Sequence, residues 1–542
     1  MRPSSRTPSS RWLLTLVLVA ALALVFDLPT ADRPITGVQP ADAIEGPFAF
    51  LLASSADLGP AHPQRVQITA ALDAHGRPDA LINWADSQRL SVRWRPGDDW
   101  AVVEGNPDQM GTAFGVQVHD YRGLRGQEFY AAPQQPRIPT ELHGTVTELG
   151  RILSYTPHHS SAPPAQPLGV PERGLTPNNL LTAYRAESLA AAGYTGKSTT
   201  VVIFAFNGYD QADLDQYATT FGLPKFTPVL VGGQAGKDHG ETTMDLELVH
   251  AIAPDARLVV VNARPTVSGD GAYLKIGQLF EQTDRDYPGA VWNLSIGWGC
   301  DKLITAADLA PVRSALAAAE SHGTTAFDAS GDLAGLDCKG GDDWDSPPGP
   351  ADVGLDSVAS LPEMTSVGGS TLSTAANGEW LAEQAWFNVP LSQGTGGGVS
   401  ALFDRPGWQS SAAAQVDPKR EAGKRLTPDI SAVADPYTGV RIVVNKEVVV
   451  GGGTSQAAPI WAGLAAVMNQ YLTANGGRRI GALNPQLYRI ATGAPHPAFR
   501  DITLGGNAVD TAAPGYDLVS GLGAPNLENL VQDLLLLQKV TR

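Results

Sequence analysis

Hydrophobic and polar positions divide most of the chain into two regions with different patterns. Between 46 and 155, segments such as "RVQITAAL" and "RLSVRW" alternate apolar and polar residues, and "PDQMGTAFGV" has helical spacing. A period of two is typical of strands with one buried face. We therefore predict a compact α+β domain over 46–155.

From 175 to 542, nearly continuous apolar runs alternate with helical patterns. "TTVVIFAF", "ARLVVVNA", "AVWNLSIGWG" and "TTAFDASGD" have the composition of strands buried on both faces, and helix candidates such as "ETTMDLELVHAIA" lie between them. This order predicts an α/β domain in which helices cover both faces of a parallel sheet. Functional groups are expected at the carboxyl ends of these strands.

Two segments lack both patterns. The segment 156–174, "TPHHSSAPPAQPLGVPERG", is typical of an exposed linker that is open to proteases. At the start, the basic "MRPSSRTPSSR" precedes the apolar "WLLTLVLVAALALVF", which predicts an export signal within 1–31. The run is slightly short for a membrane span, so secretion is favoured over an uncleaved anchor at the cell surface.

Charge and cysteine content narrow the classes of protein that the sequence fits. The net charge is -17, and no block of lysine or arginine occurs beyond the first residues, which argues against a nucleic-acid-binding protein. An acidic surface suits an acidic medium, although it also serves solubility. In an exported protein, Cys300 and Cys338 favour one disulfide over two buried thiols.

The segment "GGGTSQAAPIWAG" places Ser455 between the predicted strand "EVVVGG" and an apolar helix. Pro459 is expected in the first turn of that helix, where backbone amides have no helical partner. The positive end of the helix would favour negative charge on a nearby oxygen. Serine is also a common helix cap, and this motif alone favours the cap.

A nucleophilic serine needs a group that accepts its proton. His250 follows Glu241 by nine residues on one predicted helix, roughly half a revolution away at about 100° per residue, so it faces away from Glu241. His239 precedes the helix and is the alternative base. Glu241 and Asp245 share one helix face, where a buried pair would retain a proton and act as a base in acid. The alternative is a solvated acidic face.

Asp332 lies in the turn "ASGD" after a predicted buried strand. Aspartate is common in turns, but a protonated aspartic acid can also donate a hydrogen bond to an oxyanion. In this order and spacing, "GETTMD", "ASGD" and "GGTSQAAP" resemble the sedolisin family of serine-carboxyl peptidases. The resemblance continues through "NLSIGWGC" and "RLTPDISAVADPYTGV" to "GYDLVSGLGAPN". "AFGVQVHDY" and "PRIPTEL" look like the prodomain of that family.

The resemblance implies a subtilisin-like parallel sheet flanked by helices, an α+β activation prodomain over 46–155 and a peptidase domain over 175–542. It makes Ser455 the nucleophile, Glu241 the general base and then acid, and Asp245 its hydrogen-bonded partner. Asp332 would form the oxyanion hole with the backbone amide of Ser455.

Further site residues follow from the same resemblance. Ser295, Gly297, Trp298 and Gly299 look like the edge that holds the substrate backbone, with plain turns as the alternative. Some family members extend the proton relay with a glutamate on the first strand. Phe204 occupies that position here, so the extension is not expected, although Trp298 fits it.

The segment "RDITLGGNAVDTAAPGYD" resembles the calcium site of the family. The implied ligands are two carboxylates and three main-chain carbonyls, a mixed oxygen set that Ca²⁺ accepts: Asp501, Asp517, Ile502, Ala513 and Gly515. Ala513 stands where the family usually has glycine. Without the resemblance, a glycine-rich surface loop is the simpler interpretation.

Together these features predict a monomeric, calcium-stabilised acid endopeptidase made as a self-processing zymogen. Its partners would be peptides or unfolded proteins, and its own prodomain as an inhibitor. It would contact a membrane only through an uncleaved apolar leader. The alternatives are a His-dependent subtilisin-like hydrolase and a catalytically inactive exported binding protein on the same fold.

Overall fold

The alternating pattern near the start of the chain forms two small antiparallel sheets. In this computed structural model the described residues are 42–123, 126–156, 166–167, 174–339, 349–388 and 393–540. The predicted export signal and most of the predicted linker lie outside them. The elements of the first region are α1 Pro47–Ala53, β1 Ala56–Pro60, β2 Val66–Leu72, α2 Asp79–Ser87, β3 Ser91–Arg93, β4 Trp100–Gly105, α3 Pro107–Phe114, β5 His119–Arg122, β6 Glu128–Ala131 and β7 Val146–Leu149.

These strands form a sheet of order β3-β4-β2-β7 and a second of order β1-β5-β6. Successive residues of β2 alternate between buried and half-buried, as the period of two predicts. Asn106 caps α3 by accepting the Gln109 amide at 2.8 Å, while the Gln109 side chain accepts the Asn106 amide at 2.9 Å. The predicted α+β character of this region is confirmed.

The later region begins with elements that build a parallel sheet. They are β8 Gln166–Pro167, α4 Pro177–Ala183, α5 Glu187–Ala191, β9 Thr200–Ala205, α6 Gln211–Phe221, β10 Val229–Val231, α7 Glu241–Ile252, β11 Arg257–Asn262, α8 Ala272–Asp286, β12 Val291–Leu294, α9 Ala310–Ser321, β13 Thr325–Ala329, β14 Thr365–Thr374 and β15 Trp380–Ala385.

The remaining elements complete the layers. They are β16 Phe387–Asn388, β17 Gln393–Gly394, β18 Gly398–Asp404, α10 Ser410–Ala413, α11 Pro418–Glu421, β19 Lys424–Thr427, β20 Ile430–Val433, β21 Arg441–Val444, β22 Glu447–Val450, α12 Thr454–Ala474, α13 Asn484–Gly493, β23 Phe499–Arg500, β24 Ala524–Pro525 and α14 Leu527–Val540.

The main sheet has the order β10-β11-β9-β12-β13-β14-β15, and β20 also pairs with β14. All of these pairs are parallel except β14 with β15. Helices α7, α12 and α14 contribute to the apolar core on one face, and α8 and α9 contribute to the core on the other. The predicted α/β class is confirmed.

The first region packs against the later one near α8 and α9. Arg95 donates two hydrogen bonds to the Glu281 carboxylate, at 2.7 and 2.6 Å. The Arg151 guanidinium donates to the carbonyls of Lys302 and Leu303, and its backbone amide donates to Asp308. The contact therefore includes charged groups from both regions.

The structure bears on the predicted disulfide and on the question of a membrane span. Cys300 and Cys338 form a disulfide, as favoured from the sequence. Asp301 lies close to both sulfur atoms, but disulfide sulfurs provide no thiolate for a metal ion. Among the described residues, no helix is long and apolar enough to cross a membrane.

Candidate active site

The carboxyl edge of the sheet brings together chain segments that are far apart in sequence. Asn207 follows β9, Ser295 follows β12 and Asp332 follows β13. The Asn207 side-chain oxygen accepts the backbone amide of Thr242 at 3.1 Å and its hydroxyl at 2.8 Å. This contact fixes the start of α7, which begins at Glu241, against the end of β9.

The two carboxylates of α7 are buried. Glu241 is 8% exposed and Asp245 is 2% exposed, which excludes the solvated acidic face. Burial raises the pKa of Asp245 well above its usual value, and the charge of Glu241 raises it further. Hydrogen bonds from Ser295 and Asn293 lower the pKa of Asp245. Two buried carboxyl groups on one helix face favour the retention of one proton between them.

Ser455 is the second residue of α12 and is fully buried. The expectation that Pro459 lies in the first turn is wrong, because the helix begins at Thr454 and Pro459 lies inside it. In a regular helix, residue 459 would donate its amide to the carbonyl of Ser455, four residues earlier. Proline has no amide hydrogen, and the Ser295 hydroxyl lies 3.3 Å from that carbonyl.

Asp332 is held next to Ser455 through its neighbour Thr454. Its Oδ1 atom accepts the amide and the hydroxyl of Thr454, both at 2.7 Å. Its Oδ2 atom is buried and has no hydrogen-bond partner among the described residues. Burial raises the pKa of Asp332 to about 7, with a further contribution from the charge of Glu241. A neutral Asp332 would therefore have a free O–H group to donate.

Sequence reasoning missed several carboxyl groups around Asp332. Asp328, Asp337 and Asp356 are all buried, and Asp337 lies so close to Gly331 that an added Cβ there would meet its Oδ1 atom at 3.0 Å. Burial raises the pKa of Asp356 to about 7 and those of Asp328 and Asp337 well above their usual values. Asp328 lies within the buried strand β13, and no motif in the sequence marked the other two.

The four residues predicted to hold the substrate backbone are buried: Ser295, Gly297, Trp298 and Gly299. The hydroxyl of Ser295 donates to Asp245 at 2.7 Å, and the backbone amide of Trp298 donates to the Asp356 carboxylate. These polar groups are therefore engaged within the protein rather than directed to solvent.

Aromatic side chains fill the space beneath the carboxylates. The ring of Phe204 packs edge-on against Phe280 and Trp292, with centroids 4.9 and 5.4 Å apart. The indole nitrogen of Trp298 is buried and has no hydrogen-bond partner within the described part of the chain. β9 thus has an aromatic side chain, Phe204, at the position where some family members have a glutamate that extends the proton relay.

A cavity of about 410 Å³ opens beside the carboxylate pair. Its walls combine apolar and ionisable side chains, which suits a site that binds part of a peptide and moves a proton. The lining residues are Phe204, Phe206, Asn207, Asp238, Glu241, Thr242, Asp245, Arg264, Val267, Ser268, Ser295 and Ile296.

The two histidines near α7 have different surroundings. His250 donates from Nε2 to the Pro224 carbonyl at 2.7 Å, and its ring stacks on Phe226. Burial lowers the pKa of His250 to about 4. The backbone of His239 pairs with Gly208. The prediction that His250 faces away from Glu241 agrees with these contacts.

The loop suggested for calcium brings two carboxylates together. Asp501 accepts the Gly515 amide at 2.8 Å, and Asp517 accepts the Ala513 amide at 2.9 Å. The Ser520 hydroxyl lies 3.2 Å from both Asp517 oxygens and 3.4 Å from the Ile502 carbonyl. Burial raises the pKa of Asp517, and hydrogen bonds from Ala513, Ser520 and Val519 lower it. This acidic oxygen set fits a hard cation.

Comparisons with known proteins agree with this architecture. A family model described as the pro-kumamolisin activation domain matches residues 62–150. The chain is 30% identical over 472 residues to kumamolisin from Bacillus sp. (strain MN-32), covering 80% of this chain and 78% of that protein. It is 26% identical over 496 residues to sedolisin from Pseudomonas sp. (strain 101), covering 86% and 79%.

A solved structure shows the same fold. It is Pseudomonas sedolisin, a serine-carboxyl proteinase complexed with two molecules of pseudo-iodotyrostatin. The TM-score is 0.56 at 26% sequence identity, and the match covers 66% of this chain and 97% of that one.

The fold and these relatives define a serine peptidase preceded by an activation domain. The chain belongs to the sedolisin family of serine-carboxyl peptidases, with a kumamolisin-type activation domain. It is accordingly a zymogen of a serine-type endopeptidase, and its substrates are peptides.

Proposed function

We propose that the peptidase is active in acid and that Glu241, paired with Asp245, accepts the proton of the Ser455 hydroxyl. The observation that carries this proposal is the burial of both carboxylates on one face of α7, where the Ser295 hydroxyl links Asp245 to the Ser455 backbone. A histidine base would already be protonated in acid, whereas a carboxyl pair that shares one proton still accepts another group's proton there.

In this mechanism the Ser455 oxygen forms a bond to the peptide carbonyl carbon while its proton moves to Glu241. The carbonyl oxygen becomes negative and accepts hydrogen bonds from Asp332 and the Ser455 amide. Glu241 then gives the proton to the leaving amine as the carbon–nitrogen bond breaks. Water repeats the sequence on the acyl-enzyme and releases the second product.

Asp332 suits the oxyanion role because its two oxygens are differently placed. Thr454 satisfies Oδ1 with two hydrogen bonds, so the proton belongs on Oδ2. A carboxylic acid that stays neutral at the working pH can donate to an oxyanion, and burial provides that neutrality here.

The same proposal covers processing and stability. The region 46–155 would inhibit the peptidase domain 175–542 until the linker 156–174 is cut, and the export signal in 1–31 would direct secretion. The ion pair of Arg95 with Glu281 and the hydrogen bonds of Arg151 to the Lys302 and Leu303 carbonyls support such docking. One Ca²⁺ would be held by Asp501 and Asp517 with the carbonyls of Ile502, Ala513 and Gly515, and would stabilise the C-terminal loops.

The test is acid-induced processing of the purified precursor. Wild-type protein should release a new amino terminus within the linker at acidic pH and then hydrolyse peptides, while Ser455→Ala should do neither. Ser366→Ala is the matched control, since it removes another buried hydroxyl. Self-processing by Ser455→Ala would overturn the nucleophile assignment, and full activity of Glu241→Gln at neutral pH would favour a histidine base.

A further inference from the structure

We propose that Ser295 is a positioning residue whose hydroxyl couples the carboxyl group of Asp245 to the backbone of the nucleophile, with Asn293 orienting that hydroxyl. The inference rests on the proposed function and deepens it. It concerns the arrangement behind the carboxylate pair, not the groups that touch the substrate.

The geometry joins three elements at one oxygen atom. Ser295 Oγ lies 2.7 Å from Asp245 Oδ1 on α7 and 3.3 Å from the Ser455 carbonyl on α12. It also accepts a hydrogen bond from Asn293 Nδ2 at 3.1 Å, from the adjoining strand β12. Ser295 is 4% exposed, so water does not compete freely for the hydrogen bonds of its hydroxyl.

Pro459 explains why the Ser455 carbonyl is available to a side chain. The helical donor for this carbonyl would be the amide of residue 459, which proline lacks. A buried carbonyl without its helical donor gains from any hydroxyl within reach. Ser295 therefore has a specific acceptor at the first turn of α12 in addition to Asp245.

A serine hydroxyl has one proton and two lone pairs, so it donates to one of these acceptors at a time. When Asp245 is ionised, Ser295 donates to its Oδ1 atom. When Oδ1 carries the proton, Asp245 donates to Ser295 Oγ, and Ser295 turns its own proton to the Ser455 carbonyl. Asn293 donates to Oγ in both cases. Ser295 neither gains nor loses a proton, and its hydroxyl has a hydrogen-bond acceptor in either state of Asp245.

The other described side chains around the cavity have no hydroxyl that is hydrogen-bonded to Asp245 and could change its acceptor when Asp245 gains or loses a proton. Phe204 of β9 and Phe206, which directly follows that strand, present hydrocarbon rings to the cavity. The ionisable groups around the same cavity are Glu241, Asp238 and Arg264, and Asp332 also interacts electrostatically with Glu241. Asn293 also hydrogen-bonds to Asp245, but it lies outside the lining of this cavity. Of the side chains in the lining, Ser295 donates to Asp245.

Removing the hydroxyl should make the carboxylate pair harder to ionise. The hydrogen bond from Ser295 lowers the pKa of Asp245, against the effect of burial. Without it, the pair loses its base function at a higher pH than in the wild type. The acid limb of the kcat profile should therefore move upward.

The experiment compares kcat and KM across pH for acid-processed wild type, Ser295→Ala, Ser295→Thr and Ser366→Ala. Ser295→Ala should lose about tenfold to a hundredfold in kcat, the effect of one hydrogen bond to a charged group, with KM little changed. Its acid limb should move up by about one pH unit, and Ser295→Thr should restore both values.

Asn293→Ala provides a second variant in case Ser295→Ala folds poorly. It should move the acid limb in the same direction by a smaller amount. An acid limb for Ser295→Ala and Asn293→Ala that matches Ser366→Ala would overturn the inference. The proposed function fails separately, if Ser455→Ala or Glu241→Gln retains activity.

Discussion

Two groups of buried carboxylates in the peptidase region differ in their partners. Asp429 is fully buried and accepts two hydrogen bonds from the Arg425 guanidinium, at 2.8 and 2.6 Å, and one from Tyr488 at 2.8 Å. Asp245 and Asp332 are as deeply buried, yet within the described part of the chain their hydrogen bonds come from uncharged groups.

The difference shows what decides whether a buried carboxyl serves stability or chemistry. A guanidinium beside Asp429 allows the carboxylate to remain charged inside the protein. Where no cation is present, burial favours the protonated form and raises the pKa into the range in which protons move during catalysis.

Glu241→Gln should lower kcat by about 10⁴-fold or more, because it removes the base while keeping the shape of the side chain. Thermal stability should stay equal or increase, since a like-charge interaction with Asp245 is lost. Peptide hydrolysis and a thermal melt on the same samples measure both. Glu247→Gln is the matched control on the same helix, and its activity should stay near wild type, because Glu247 is buried against the Val443 amide.

Arg425→Met should destabilise the protein by about 3–5 kcal/mol, because it leaves Asp429 buried without its cationic partner. The folded fraction should keep normal kcat. Denaturant unfolding of the variant in the inactive Ser455→Ala background avoids self-digestion. If Arg425→Met lost catalysis without losing stability, Asp429 would serve catalysis, contrary to the comparison with Asp245 and Asp332.

Asp332→Ala should lower kcat by about 10²- to 10³-fold, the usual effect of losing one oxyanion donor. Asp332→Asn should lose less, because its amide can donate from the position of Oδ2 while its oxygen still accepts from Thr454. The protonated acid is the active form, so wild-type activity should fall as pH rises through about 7. Asp332→Asn has no proton to lose there and should not show this fall.

The same group affects stability in a defined direction. The pKa of Asp332 is higher in the folded state than its ordinary value of 3.8, so the folded protein binds more protons between about pH 4 and 7. Its contribution to the free energy of unfolding is therefore present in acid and is lost as pH rises through about 7. Replacement with asparagine should flatten that part of the stability profile.

Chelation of calcium should lower the melting temperature by a few degrees, because a bound ion stabilises the folded state in proportion to its occupancy. Asp517→Asn should reduce the melting temperature in the presence of calcium and abolish the response to chelator. Asp404→Asn, at an exposed aspartate, is the control. An unchanged response in Asp517→Asn would contradict the proposed ligand set.

The class of the fold and the family were predictable, because strong apolar runs and short motifs survive without tertiary information. Glu241 and Asp245 could be placed on one helix face from their spacing alone. Their burial could not, since it depends on α7 packing against α12. The start of α12 was placed too late, which made an interior Pro459 look like a first-turn residue.

Side-chain partners across the sheet were the least predictable part of the site. Ser295 was assigned to the substrate edge, whereas its hydroxyl bonds to Asp245. Thr454 belongs to the motif "GTS", but its double hydrogen bond to Asp332 joins residues 122 positions apart. Such contacts depend on the register of neighbouring strands. That register is set by the packing of the whole fold and cannot be read from local sequence patterns.

The central claim is that a carboxyl group takes the proton of Ser455. The most direct measurement is the rate of acyl-enzyme formation by the mature enzyme in single-turnover experiments between about pH 3 and 8. The carboxyl mechanism predicts a maximum below neutrality, a rate that persists at about pH 4, and loss of that rate in Glu241→Gln. A rate that falls tenfold per pH unit below about 6.5, the ordinary pKa of histidine, and does not respond to Glu241→Gln would contradict it.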